Sequence, residues 1–160
     1  MCRFEGNPIT TIRAGLCTTL RGLQTLDASG PAKHLHVIEP GAFATCSQLR
    51  SLALWMSDHT LVVQGRGNGS LAGLAKLETL TMTGGESYTT IKNGTFLGLS
   101  GLISLSIQGS WLGNGVPSGA FLGLSRLEKL DLSNNYIQYT SAGTFEGLDS
   151  LKEANLAGKT

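Results

Sequence analysis

Apolar residues return along this chain in a single frame. The clearest copy is Leu127-x-x-Leu130-x-Leu132-x-x-Asn135-x-Ile137, followed by Gly143-x-Phe145-x-Gly147-Leu148-x-x-Leu151. Sliding upstream, Gly15, Gly41, Gly69, Gly94 and Gly119 take the place of Gly143, at intervals of 24 to 28 residues. Two residues after each glycine stands a bulky apolar residue: Cys17, Phe43, Leu71, Phe96, Phe121 and Phe145. Three further come Leu20, Cys46, Leu74, Leu99, Leu124 and Leu148, then Leu23, Leu49, Leu77, Leu102, Leu127 and Leu151. Each unit closes on a pair two apart, such as Leu52 and Leu54, Leu105 and Ile107, or Leu130 and Leu132.

The two spacings predict two kinds of structure. A period of 2 sends both members of the closing pair to one side of a short strand. A period of 3 suits 3₁₀ or irregular turns better than a full helix. One unit cannot bury its apolar side alone, so units stack and their inward residues merge into a continuous core. The prediction is an α/β solenoid, a curved horseshoe with a parallel β-sheet on its concave face and short 3₁₀ or irregular turns on its convex face. It spans residues 1–160 as one domain of about six repeats. Cys2, Phe4, Asn7 and Ile9 fit the end of an earlier repeat at 1–9, so the chain reads as a slice of a longer array.

Composition narrows the picture modestly. Apolar residues make up 41% and charged residues 14%, with a net charge of +1 and no run of one sign, which argues against nucleic acid as a partner. No apolar stretch is long enough to insert directly into a membrane. The 22 glycines recur at fixed places, as repeated turns require.

Residues 119 to 137, Gly-Ala-Phe-Leu-Gly-Leu-Ser-Arg-Leu-Glu-Lys-Leu-Asp-Leu-Ser-Asn-Asn-Tyr-Ile, resemble the typical extracellular class of leucine-rich repeats, as in Toll-like receptors, Slit proteins and variable lymphocyte receptors. The resemblance implies an extracellular or cell-surface receptor or secreted recognition protein, of the kind serving innate immunity, with a protein or glycan ligand on the concave face. It also implies an asparagine ladder where each strand turns away. Here only Asn7 and Asn135 hold that position, against Pro31, Ser57, Gly85, Ser110 and Lys159. Ser57 and Ser110 are expected to accept and donate hydrogen bonds in its place. Insertions are expected at 30–37 and 58–67.

The alternating positions of the strands give the expected ligand face. Its candidates are Ser51, Trp55, Met56, Thr81, Thr83, Ser106, Gln108, Lys129 and Asp131, with Arg3, Glu5, Thr25, Asp27, Ser29, Ala53, Thr79, Ser104, Ser133, Glu153 and Asn155 beside them. Most are small and polar, and Trp55 is the exception: a hot spot with Met56 beside it, or a side chain folded beneath the 58–67 insertion. Trp111 and Tyr136 are expected to stack on one flank. Asn68-Gly-Ser70 and Asn93-Gly-Thr95 are sequons for N-glycosylation on the outer side, which turn composition alone also produces. Cys2, Cys17 and Cys46 replace core residues and read as buried thiols, with a Cys17–Cys46 bridge the lesser alternative.

Catalytic readings fail on spacing. Gly65-Arg-Gly-Asn-Gly69 lacks the Lys-Ser/Thr of a phosphate loop, and His34, His36 and His59 lack further ligands nearby. Neither an enzyme nor a cofactor nor a metal is expected. The two rival readings are an adhesive surface protein and an intracellular repeat scaffold, and the sequence leaves the oligomeric state open.

Overall fold

The computed structural model describes residues 1–3, 10–29, 35, 37–56, 71–84, 91–110, 112–113 and 115–158. Seven parallel strands form its main sheet, in chain order: β1 (Cys2–Arg3), β3 (Thr25–Ala28), β5 (Ser51–Met56), β6 (Thr79–Gly84), β7 (Ser104–Gln108), β8 (Lys129–Asp131) and β9 (Glu153–Asn155). The register follows the sequence frame. Leu26, Leu52, Leu80, Leu105 and Leu130 pair in turn, and Cys2 meets Leu26 at the N-terminal edge. These leucines are almost wholly buried, each contributing roughly 1.5–3 kcal/mol of apolar burial. This is the expected solenoid.

The period-3 segments close as tight turns. Cys46 N–H donates to the Phe43 carbonyl at 2.9 Å and Leu49 N–H to the Cys46 carbonyl at 3.0 Å. Phe96, Leu99 and Leu102 repeat this, as do Phe121, Leu124 and Leu127. The phenylalanines stack across units, with ring centroids 5.9 Å apart for Phe96–Phe121 and 6.3 Å for Phe121–Phe145. Among the described residues, the turn glycines Gly15, Gly41, Gly94, Gly119 and Gly143 all have positive φ. At Gly119, φ is +68°, a backbone conformation that side-chain-bearing residues rarely adopt, and Asn93 Nδ2 lies 2.9 Å from where a Cβ would stand.

The first unit departs from the expectation. Its turn is a short α-helix, α1 (Leu16–Thr19), and the wider path leaves Leu20 42% exposed instead of in the core. The reading of Cys17 and Cys46 as buried thiols is also corrected. They form a disulfide with Cα atoms 5.0 Å apart, joining the first two complete units from inside the core. The two cysteines sit three positions apart in the frame, and the altered path of the first turn brings them level. Cys2 is free and partly buried.

A second lateral contact on the far flank was not anticipated. Strands β2 (Thr11–Ile12) and β4 (Val37–Ile38) pair in parallel, and Val116 bridges Thr140. Its signal is a mostly β-branched apolar residue three before the turn glycine: Ile12, Ile38, Ile91 and Val116, all buried. Towards the C-terminus these contacts are longer, 3.4 Å for Val116 N–H to the Tyr139 carbonyl against 2.8 Å for Glu128 N–H to the Ile103 carbonyl beside the sheet.

Ladder positions 7, 31, 57, 85 and 159 lie outside the described residues. Asn135 and Ser110 are described, and they differ. Asn135 Nδ2 donates to the Ile107 and Leu132 carbonyls at 2.5 and 2.8 Å, and its Oδ1 accepts the Ser110 N–H at 2.8 Å. Ser110 Oγ is buried with no partner among the described residues, so the expectation that it replaces the asparagine is corrected. A hydroxymethyl group is too short to span between rungs as a carboxamide does.

Candidate functional site

Alternation on the strands sends one set of side chains away from the core, and the register aligns that set into three rows. Thr25, Ser51, Thr79, Ser104, Lys129 and Glu153 form the first. Asp27, Ala53, Thr81, Ser106, Asp131 and Asn155 form the second. The third is Trp55, Thr83 and Gln108. Successive members stand about 4.8 Å apart. Most are half-buried, whereas Lys129, Glu153 and Asn155 are exposed.

Thus Ser51, Trp55, Thr81, Thr83, Ser106, Gln108, Lys129 and Asp131 share one face. Met56 ends β5 opposite Gly84, and its side chain, like those of Arg3 and Glu5, lies outside the described residues. Trp55 is half-buried beside Thr83. The insertion that would cover it, residues 58–67, lies outside the described residues, as do Asn68, Trp111 and the three histidines. Ser133 departs from the expected face: it is buried, its N–H held at 2.9 Å by Asp131 Oδ1 as the chain turns inward.

Hydrogen bonds order the C-terminal half of the face. Gln108 Nε2 donates to Ser106 Oγ at 3.0 Å and to Asp131 Oδ2 at 2.8 Å. Asp131 therefore uses both oxygens, one to end its strand and one to hold Gln108. Asp27 ends β3 in the same way, accepting the Ser29 N–H at 3.0 Å and its hydroxyl at 2.6 Å. Lys129 and Glu153 form an ion pair at 3.2 Å, exposed and so worth under about 1 kcal/mol. A shallow hollow of about 600 Å³ opens over β7, β8 and β9, lined by Ser104, Ser106, Lys129, Asp131, Glu153 and Asn155 among others.

The Gln108–Asp131 bond was missed in the sequence. Its signal is indirect: Ser106 faces Asp131 in the register, and Gln108 stands two residues beyond Ser106 on the same side. The arrangement offers hydroxyls, an amide and carboxylates for hydrogen bonding, with one aromatic side chain among them. No group of three or more potential metal ligands gathers among the described residues. No helix among them is long and apolar enough to cross a membrane.

Residues 114–158 match the family model described as Leucine rich repeat. No curated protein matches the chain. With the stacked strands and turns, the match makes the fold a leucine-rich-repeat solenoid.

Proposed function

We propose that this leucine-rich-repeat protein is a non-enzymatic recognition module, part of an extracellular receptor or secreted binding protein, that holds a protein or glycan ligand against its strand face. The observation that carries the reading is the row Trp55–Thr83–Gln108 beside the Ser106–Gln108–Asp131 cluster. A half-buried tryptophan among small polar side chains supplies contact area at low entropic cost, and side chains already tied by hydrogen bonds lose little freedom on binding. The rigid stack beneath keeps this surface in one shape. An extracellular setting is supported by the Cys17–Cys46 disulfide, a bond that reducing compartments disfavour. The same bond speaks against the intracellular scaffold.

The test is capture from libraries of secreted proteins, cell-surface ectodomains and glycans, followed by Trp55→Ala. A loss of about thirty-fold or more in affinity, roughly the 2 kcal/mol of an interface hot spot, is expected with an unchanged unfolding midpoint. Unchanged binding by both Trp55→Ala and Asp131→Ala removes this face from the function.

A further inference from the structure

The sequon at Asn93 meets the structure at an unusual place. Asn93 is exposed and precedes the turn glycine Gly94. Its Nδ2 lies 2.9 Å from the point where a Cβ of Gly119 would stand, and Leu122 Cδ1 lies 3.0 Å from that same point. The amide nitrogen and a leucine methyl thus rest against one bare glycine of the next unit. Leu97, 49% exposed, leans in the same way toward Gly123. An apolar strip of leucine over glycine therefore runs beside the amide, on the side of each unit opposite the strand face.

A turn glycine does not by itself require an asparagine before it, although Asn68 also stands before one. Ala14, Pro40, Ser118 and Ala142 hold the same place before Gly15, Gly41, Gly119 and Gly143, and all of these glycines have positive φ. Thr95 does have a structural role. It is 5% exposed, and its Oγ1 accepts the Lys92 N–H at 2.9 Å. Thr144 is buried at the corresponding place, its hydroxyl bonded to the Val116 and Ser141 carbonyls at 2.9 and 2.7 Å, with no asparagine before its glycine. The folded turn thus buries the hydroxyl by which a sequon is recognised while leaving the acceptor amide outside.

We propose that Asn93 is N-glycosylated before its turn closes, and that the first sugar then covers the Leu97–Leu122 strip. In the transfer, Nδ2 forms a bond to the anomeric carbon of an N-acetylglucosamine carried on a lipid diphosphate. The bond from that carbon to the diphosphate oxygen breaks, the lipid diphosphate departs, and the amide gives up one proton. The apolar face of the sugar ring lies over the leucines, and the rest of the glycan extends away from the strand face. This rests on the extracellular reading above.

Expression through a eukaryotic secretory pathway tests it. Glycan release by peptide N-glycosidase in heavy-oxygen water is expected to label position 93 as aspartate. With a signal peptide added, a secreted, disulfide-bonded chain with Asn93 unmodified overturns the proposal and leaves the extracellular reading standing; a chain delivered to the pathway that folds without the Cys17–Cys46 disulfide and with Asn93 unmodified overturns both. Purified oligosaccharyl transferase with its lipid-linked donor is expected to modify the denatured chain and spare the folded, unglycosylated one. Equal modification of both overturns the timing. Asn93→Gln is expected to lower the melting temperature by a few degrees, and in a Leu97→Ser/Leu122→Ser background this difference should vanish. A difference that persists there overturns the covering role.

Discussion

Asn135 is 1% exposed, and its carboxamide serves three backbone groups at once: the Ser110 N–H and the Ile107 and Leu132 carbonyls. Truncation leaves those groups buried without partners. Asn135→Ala is therefore expected to cost about 2–4 kcal/mol, read as a lower urea midpoint at constant slope. Ser110→Ala removes a buried hydroxyl that has no partner among the described residues and is expected to fall within about 0.5 kcal/mol of the parent, on the stabilising side. The asparagine's role was legible through the resemblance to leucine-rich repeats, which implies a carboxamide where the strand turns away, although only Asn7 and Asn135 keep one here. The serine's failure was not, since it depends on a reach between rungs that only the packed stack defines.

Among the elements, the first complete unit is the irregular one, and its irregularity and its disulfide belong together. Helix α1 replaces a tight turn, Leu20 is turned outward, and Cys17 meets Cys46 across a separation of 29 residues. Closing a loop of that length restricts the unfolded chain by about 3–4 kcal/mol on the chain-entropy relation. The Cys17→Ala/Cys46→Ala variant is expected to lose that much stability in chemical denaturation, and the oxidised parent to lose as much on adding reductant. Loss under about 1 kcal/mol would mean that the cross-link is offset by strain. The sequence shows two cysteines in adjacent units but not a pairing, because a difference of three frame positions places them level only once the path of the turn is known.

For the whole molecule, each unit gains stability from its neighbours on both sides, as in any one-dimensional array. Strands β5, β6 and β7 have fully buried core residues and neighbours to either side. In the last described unit, Phe145 is 38% exposed and every residue of β9 is exposed. Amide exchange is therefore expected to be slowest at Leu80, Leu105 and Ile107 and fastest through 153–157, in a graded profile. One uniform rate across all strands would show that the stack opens only as a single unit.

What the sequence determined by itself is the repeat frame: strand positions, register, inward leucines and the outward polar rows. These follow from spacing, because periods of 2 and 3 assign most residues to a face whatever their distant neighbours are; Leu20 and Ser133 are exceptions, set by the path of the chain around them. Tertiary structure alone decided the disulfide, the idle hydroxyl of Ser110, the Gln108–Asp131 bond and the meeting of Asn93 with Leu122. Each of these depends on distances between residues in different units. Such distances are set by how units lean and splay on one another, and no local pattern encodes them.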